Sequence, residues 1–376
     1  MTIPTNVAPA PVRPSLWKRL PVVHQVRSSV GLQRSMLVGG LVLVGIYVIT
    51  ALFAPWLAPY GFAQIRVGDT LFGSQQPPSS EHWFGTTVAG YDVLSRCLWG
   101  ARPALLVMLA AVVLSIFIGV TGGLLSGYFG GWVDRVLVVV ADAIYAFPSL
   151  LLAIVAAIVI NHGQSDLWGG ILAAAVAITV VFIPQYFRVI RAETVRIKSE
   201  AFVESARVIG ASHPRIMTRH VLRNSTRTLP LILTLNCSEA VLTLAALGFL
   251  GFGIEPTVAA DWGYDLNKSL SDVTSGIWWT SLYPGLAIAL SVLGVTLVGE
   301  SLNDLADPRL RTRRAASQAA GVVGAVTVVP GGVLSAGAEG IEGLDLLEGT
   351  ADELFAGPTE DEPLARPSTD EEGGRS

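Results

Sequence analysis

Six stretches of this chain are long and apolar enough to cross a lipid bilayer, and no other feature restricts its fold so severely. They are Met36–Ala58, Ala104–Gly127, Val136–Ile160, Leu167–Phe187, Leu229–Leu250 and Leu282–Ser301. About 30 Å of hydrocarbon requires about 20 residues at about 1.5 Å each, so each reads as one transmembrane helix. Only 14% of the 376 residues are charged and 51% are hydrophobic, whereas a soluble domain carries about 25% charged residues. The fold class expected is therefore all-α and integral to a membrane. The apolar run of the first stretch exceeds the about 7–15 residues of a cleaved secretory signal, and a long segment precedes it, which favours a signal-anchor helix.

Lysine and arginine orient the spans. With the N-terminus inside, the cytoplasmic pieces hold Arg13, Lys18, Arg19, Arg27, Arg34 and Arg135, the segment 188–227 with its nine basic residues, and Arg309, Arg311, Arg313 and Arg314. The outer pieces keep only Arg66, Arg96, Arg102 and Lys268. Both termini are thus expected in the cytoplasm. The division expected is a cytoplasmic segment at 1–35, a six-span domain at 36–312 with an outer loop at 59–103 and a cytoplasmic loop at 188–227, and a tail at 313–376.

The net charge of −4 conceals an asymmetry: residues 315–376 hold 12 acidic and 2 basic residues, leaving 23 basic minus 17 acidic, or +6, for the rest. Ala319–Gly337 is apolar, but its five glycines, Pro330 and single leucine disfavour a seventh span. From Glu339 onward the composition reads as disordered, with a short helix at Leu346–Phe355. Cys97 and Cys237 share no ligand or redox spacing and read as unpaired. Within the outer loop, Val93, Leu94, Cys97 and Leu98 stand at helical spacing, which predicts an interfacial amphipathic helix leading into the second span.

The cytoplasmic segment is the most distinctive. Ala201–Ile209 reads as a short helix with Phe202, Ala206 and Ile209 on one apolar face, Gly210 as its left-handed stop, and Ser212 with Pro214 as the start of a second helix. The order Glu204-Ser205-Ala206, Gly210, His220-Val221-Leu222 resembles the Glu-Ala-Ala loop of ABC-importer permeases, with Ser205 in place of the middle Ala and Arg223 in place of the usual closing Pro. His82-Trp83-Phe84-Gly85-Thr86, Asp92-Val93-Leu94-Ser95-Arg96, Gly100-Ala101-Arg102 and Gly130-Gly131-Trp132-Val133-Asp134-Arg135 resemble the dipeptide/oligopeptide (peptide/nickel-type) branch of that family. So do Phe147-Pro148-Ser149, Asp261-Trp262-Gly263, Tyr283-Pro284-Gly285 and Leu305-Ala306-Asp307-Pro308-Arg309. Their order points to the shorter, C-type permease of the pair.

The resemblance implies a type I importer permease fold, and a coupling helix in which Ala201, Phe202, Glu204, Ser205, Ala206, Ile209 and Gly210 meet the ATP-binding subunit. It implies as partners a homologous second permease, two ATP-binding subunits and an extracytoplasmic binding protein, with di- or oligopeptide, nickel or another small solute as cargo. No Gly-x-x-x-x-Gly-Lys-Ser/Thr loop, His/Cys ligand cluster or nucleophile elbow occurs. The chain is therefore expected to be no enzyme and to hold no cofactor, ATP and Mg2+ belonging to the partner subunits.

Asp142, Glu239 and Glu300 fall within or at the ends of spans, where a carboxylate at mid-bilayer costs about 2.5–3.5 kcal/mol. They should face the bundle interior or a water path. Asp142, Pro148, Asn236 and Glu239 are candidates for the translocation path or for contact with the second permease. A proton relay is the alternative use, and would make the chain an ion-coupled transporter. A membrane scaffold working through its tail is a third reading. Pro148 and Pro184 should kink their helices, and with Gly248-Phe249-Leu250-Gly251-Phe252-Gly253 they suggest helices that move about a pathway.

Overall fold

The computed structural model describes residues 32–161 and 167–306; the expectations for 1–31 and for the tail lie outside them. Five helices there are long and apolar enough to cross a membrane, or six if one sharply bent pair counts as a single span. The long helices are α1 (Leu32–Leu57), α2 (Val93–Phe129), α5 (Leu167–Lys198), α9 (Leu229–Phe249) and α12 (Trp279–Ala306); the bent pair is α3 (Gly131–Tyr145) and α4 (Ser149–Asn161). The continuous span expected at Val136–Ile160 is thus broken, its halves meeting at 97°. Pro148 has no N–H to offer and turns the preceding residue away from helical geometry. Pro184, expected to kink its helix, lies inside an uninterrupted α5.

Helix α2 packs along α5, while α12 lies against α1 and α9. A stripe of glycines makes the first contact possible. A Cβ on Gly119 would lie 2.6 Å from the Tyr186 Cβ, one on Gly123 2.6 Å from the Phe187 carbonyl oxygen, and one on Gly127 2.8 Å from that of Arg191. Spaced four apart, these glycines share one face of the helix, so two backbones meet there without side chains between them.

At 37 residues, α2 is about 55 Å long and outreaches the bilayer. Its first turns are the helix expected ahead of the second span, with one side packed inside the protein: Val93, Ser95 and Arg96 are buried, while Leu94, Cys97 and Leu98 are half-buried. The buried residues bond to the loops on either side through the Gly85, Tyr60, Phe62 and Pro256 backbone and to Asp265 of α10 (Trp262–Lys268). The exposed hairpin β1 (Arg66–Val67) and β2 (Thr70–Leu71) and the short α11 (Leu270–Thr274) lie in the same two loop regions. Together these form a cap.

The cap accounts for several of the sequence motifs. Asp92 caps α2 by accepting from the Ser95 N–H at 2.8 Å and holds His82 Nδ1 at 2.9 Å. Phe84 stacks on Tyr283. The Arg96 guanidinium meets both carboxylate oxygens of Asp265, at 2.7 and 2.8 Å, and donates to the Phe62 carbonyl at 3.0 Å. Asp261 accepts the N–H groups of Gly263, Tyr264 and Ile254, Trp262 donates to the Cys97 carbonyl at 2.9 Å, and Gly263 lies so close to the Ala245 carbonyl that a Cβ would clash. Gly248 and Gly253 make room for Asp261: a Cβ on either would come within 2.5 Å of its carboxylate.

Burial pushes the Asp261 carboxyl up to about 6 against the pull of its three amide donors. A carboxyl group whose pKa is higher in the fold than in the unfolded chain stabilises while protonated and loses that contribution as pH rises through the folded value. Hydrogen exchange of the Ile254, Gly263 and Tyr264 amides, corrected for intrinsic rates, is therefore expected to show protection falling from pH 4 to pH 7. Protection that stayed flat, or rose, would count against this environment for Asp261.

Candidate coupling surface

At the other end of α2 the chain builds the 188–227 segment. Helix α6 (Ala201–Val208) ends in Gly210 at φ +83°. The Ala211 N–H reaches the Ala206 carbonyl and the Gly210 N–H that of Arg207, both at 3.0 Å; this is the paired-bond stop that a left-handed glycine permits. Beyond it, helical residues follow without a gap from His213 to Phe249 but change type: α7 (His213–Arg215), a π turn (Ile216–Leu222), α8 (Arg223–Ser225), a 3-10 turn (Thr226–Thr228) and then α9. Ser212 stands at the N-cap of α7 without a side-chain capping bond. Arg223, in the place of a proline, lies inside this run and lets it continue.

The segment is seated on the ends of α2 and α5. The Tyr128 hydroxyl and His213 Nδ1 lie 2.7 Å apart, and Lys198 Nζ donates to the carbonyls of Gly127 at 2.8 Å and Tyr128 at 3.2 Å. Arg191 makes a two-pronged contact with Asp134, its Nη2 at 2.7 Å, and Ser126 donates to the same carboxylate. Beneath α6, Val203 and Ala206 join Leu124, Tyr128, Ile190, Ile197, Ile216, Met217 and Val221 in a second apolar core.

The inward face of α6 differs from the one expected. Val203 and Ala206 point into that core, so Ala206 is not on a surface with Phe202 and Ile209. The outward surface carries Ala201, Phe202, Glu204, Ser205, Ile209 and Gly210. Phe202 is 44% exposed and tilts against His220, while Val208 and Ile209 are 83% and 85% exposed. Ser205 donates its hydroxyl to the Ala201 carbonyl at 2.9 Å, which satisfies the extra polar group within its own turn. Glu204 forms no ion pair among the described residues. A firm seat with an apolar lip is the result.

The intramembrane candidates are not brought together by any contact. The Asp142 side chain is 56% exposed and accepts from Arg188 at 2.8 Å, while Arg188 also lies 4.0 Å over the Tyr145 ring; it is a paired group on an open face, not a carboxylate facing the bundle interior. Pro148 marks the α3–α4 break. Asn236 is buried beside the Tyr186 hydroxyl, its amide nitrogen without a geometrically complete hydrogen bond. Glu239 is half-buried and Glu300 exposed. The sequence reading missed the Arg96–Asp265 pair and the Gly119/Gly123/Gly127 stripe. Glycine at four-residue spacing was a visible signal for the stripe; nothing local marks the pair.

Residues 119–312 match the family described as the inner membrane component of binding-protein-dependent transport systems, and residues 32–78 the N-terminal transmembrane domain of oligopeptide transport permease C. The chain belongs to this family of ABC-importer permeases. It is 37% identical over 73% of its length, and 86% of the relative, to the dipeptide transport system permease protein DppC of Alkalihalophilus pseudofirmus. It is 33% identical over 75% of its length, and 89% of the relative, to the glutathione transport system permease protein GsiD of Pectobacterium atrosepticum. Among solved structures, the inward-facing MetNI methionine ABC transporter matches 57% of the chain and 96% of its own at 20% identity and a TM-score of 0.44. As a member of this family the chain is a membrane-spanning importer permease subunit and not an enzyme.

Proposed function

We propose that this permease imports short peptides into the cytoplasm, driven by ATP hydrolysis on partner subunits that dock on α6, with both of its termini on the cytoplasmic side. A second, homologous permease completes the pathway and an extracytoplasmic binding protein delivers the cargo. The observation that carries the reading is the exposure of Val208 and Ile209 at the end of a helix whose opposite face is held in a core of its own. An apolar lip on a rigid seat suits a groove in another protein, and transmits force because the seat is tied to α2 and α5 through Lys198, His213 and Val203. ATP and Mg2+ would bind in the partner subunits. Peptide cargo is supported by the dipeptide and glutathione relatives; nickel complexes or another small solute are the alternative.

The assembled complex tests both parts. Proline at Gly210 cannot adopt φ +83° and removes the N–H bonded to Arg207, while Glu204→Lys reverses a charge on the lip. Both variants are expected to insert normally yet lose at least ten-fold in co-purified ATP-binding subunit and in uptake. Normal co-purification in both would remove α6 from the docking surface. Stimulation of ATPase activity across a panel of dipeptides, longer peptides and nickel chelates, with the binding protein present, identifies the cargo.

A further inference from the structure

Glu239 is the eleventh of the 21 residues of α9, the middle of a span. One face of this helix is buried in the main core through Cys237, Ala240, Val241 and Leu244. The opposite face carries Leu235 and Leu242, 53% and 48% exposed, one turn to either side of Glu239 and on its own side of the helix. Glu239 is half-exposed between them. Its carboxylate forms no ion pair and no hydrogen bond among the described residues.

An ionised group at that depth is costly against lipid and faces a partner or water instead. Three carboxylates towards the ends of the spans have partners within the chain: Asp134 with Arg191, Asp142 with Arg188 and Asp265 with Arg96. Glu300, which also lacks an ion pair among the described residues, lies in the last turns of α12 rather than at mid-span. Glu239 is thus held out, unpaired, where a charge from outside the chain can reach it.

We infer that Glu239 stands on the translocation path and accepts the free ammonium group of a peptide in transit, with Leu235 and Leu242 as apolar neighbours for the side chain beside it. The inference rests on the peptide import proposed above. A half-exposed ion pair is weak, and weakness suits the step. A path must bind its cargo well enough to admit it and loosely enough to release it. Between cargoes, water in the path hydrates the carboxylate, so no permanent partner is needed.

Binding of tritiated Ala-Ala to the complete complex in nanodiscs, without binding protein or ATP, tests this directly. Unlabelled Ala-Ala is expected to compete at least about five-fold better than N-acetyl-Ala-Ala, which has no ammonium. Ala-Ala amide, which keeps the ammonium, should compete as well as Ala-Ala. Glu239→Gln should abolish the preference for the free ammonium, whereas Glu300→Gln, which removes a carboxylate elsewhere, should leave it intact. Glu239→Asp, with the charge on a shorter stem, should by itself halve the preference, so the test stands even if Glu239→Gln does not fold. No saturable Ala-Ala binding, equal competition by the acetylated peptide, or a preference that survives Glu239→Gln would overturn the proposal. Loss of the second permease from an otherwise folded Glu239→Gln chain would also overturn it, making Glu239 a subunit contact. So would uptake that needs no ATP and collapses with the proton gradient, making it a relay. Uptake of Ala-Ala by the complete system is measured alongside. Its absence removes peptide import and this role together, whereas uptake without the ammonium preference removes only the role of Glu239.

Discussion

Asp265→Ala is expected to cost the cap about 3–5 kcal/mol, because removing one member of a buried ion pair strands the other. Arg96 is 1% exposed and stands between two loop carbonyls, so its charge cannot turn to water once Asp265 is gone. The loss should appear as a large drop in the thermal midpoint of the detergent-purified protein and as early proteolysis within 59–92 and 250–278, with the spans still inserted. Arg96→Lys should recover only part of this, since an ammonium at the Asp265 carboxylate leaves the Phe62 and Pro256 carbonyls without the fixed guanidinium donor that now holds them. The double change Arg96→Met with Asp265→Leu should be less damaging than the sum of the single changes, the residual loss coming from the Phe62 carbonyl that Arg96 no longer satisfies. A midpoint for Asp265→Ala close to that of the unaltered protein would mean that the pair does not organise the cap.

That pair also shows where reading the sequence reaches its limit. The spans were legible because apolar length is a local property, and the Gly210 stop because a helix terminus needs only a glycine in place. The bend at Pro148 was legible in kind, though a 97° break exceeds a kink. What could not be read is set by chain segments brought together from far apart. Arg96 and Asp265 are 169 residues apart, and the burial of Arg96 in the first turns of α2 depends on a cap that no local pattern shows. Phe202, Ala206 and Ile209 form an apolar stripe on a helical wheel, yet the buried side of α6 is chosen by Ile216, Met217 and Val221 beneath it, and these select Val203 with Ala206. Gly248 and Gly253 illustrate the same point: their neighbour Asp261 gives them a packing reason.

Gly123→Leu is expected to have an effect of comparable size by the opposite route, addition of atoms where there is no room. Even a Cβ at Gly123 would meet a carbonyl oxygen of α5 at 2.6 Å, and backbone cannot rotate aside as a side chain can. Overpacking by a few methylenes typically costs about 1–3 kcal/mol; forcing two long helices apart should exceed this and lower the yield of monodisperse protein severalfold. Gly122 provides the control. Its Cβ would lie 3.4 Å from the Phe187 ring, an ordinary contact, so Gly122→Ala should be neutral or should stabilise by up to about 1 kcal/mol through helix propensity. Position along the stripe should then separate stability from coupling. Gly119 lies towards the middle of α2, whereas Gly127 adjoins the carbonyls that Lys198 grips and the tyrosine that meets His213. Gly127→Ala should therefore reduce co-purification of the ATP-binding subunit more than Gly119→Ala does at equal loss of thermal midpoint. Equal binding losses in the two variants would show that α6 is seated independently of the α2–α5 contact.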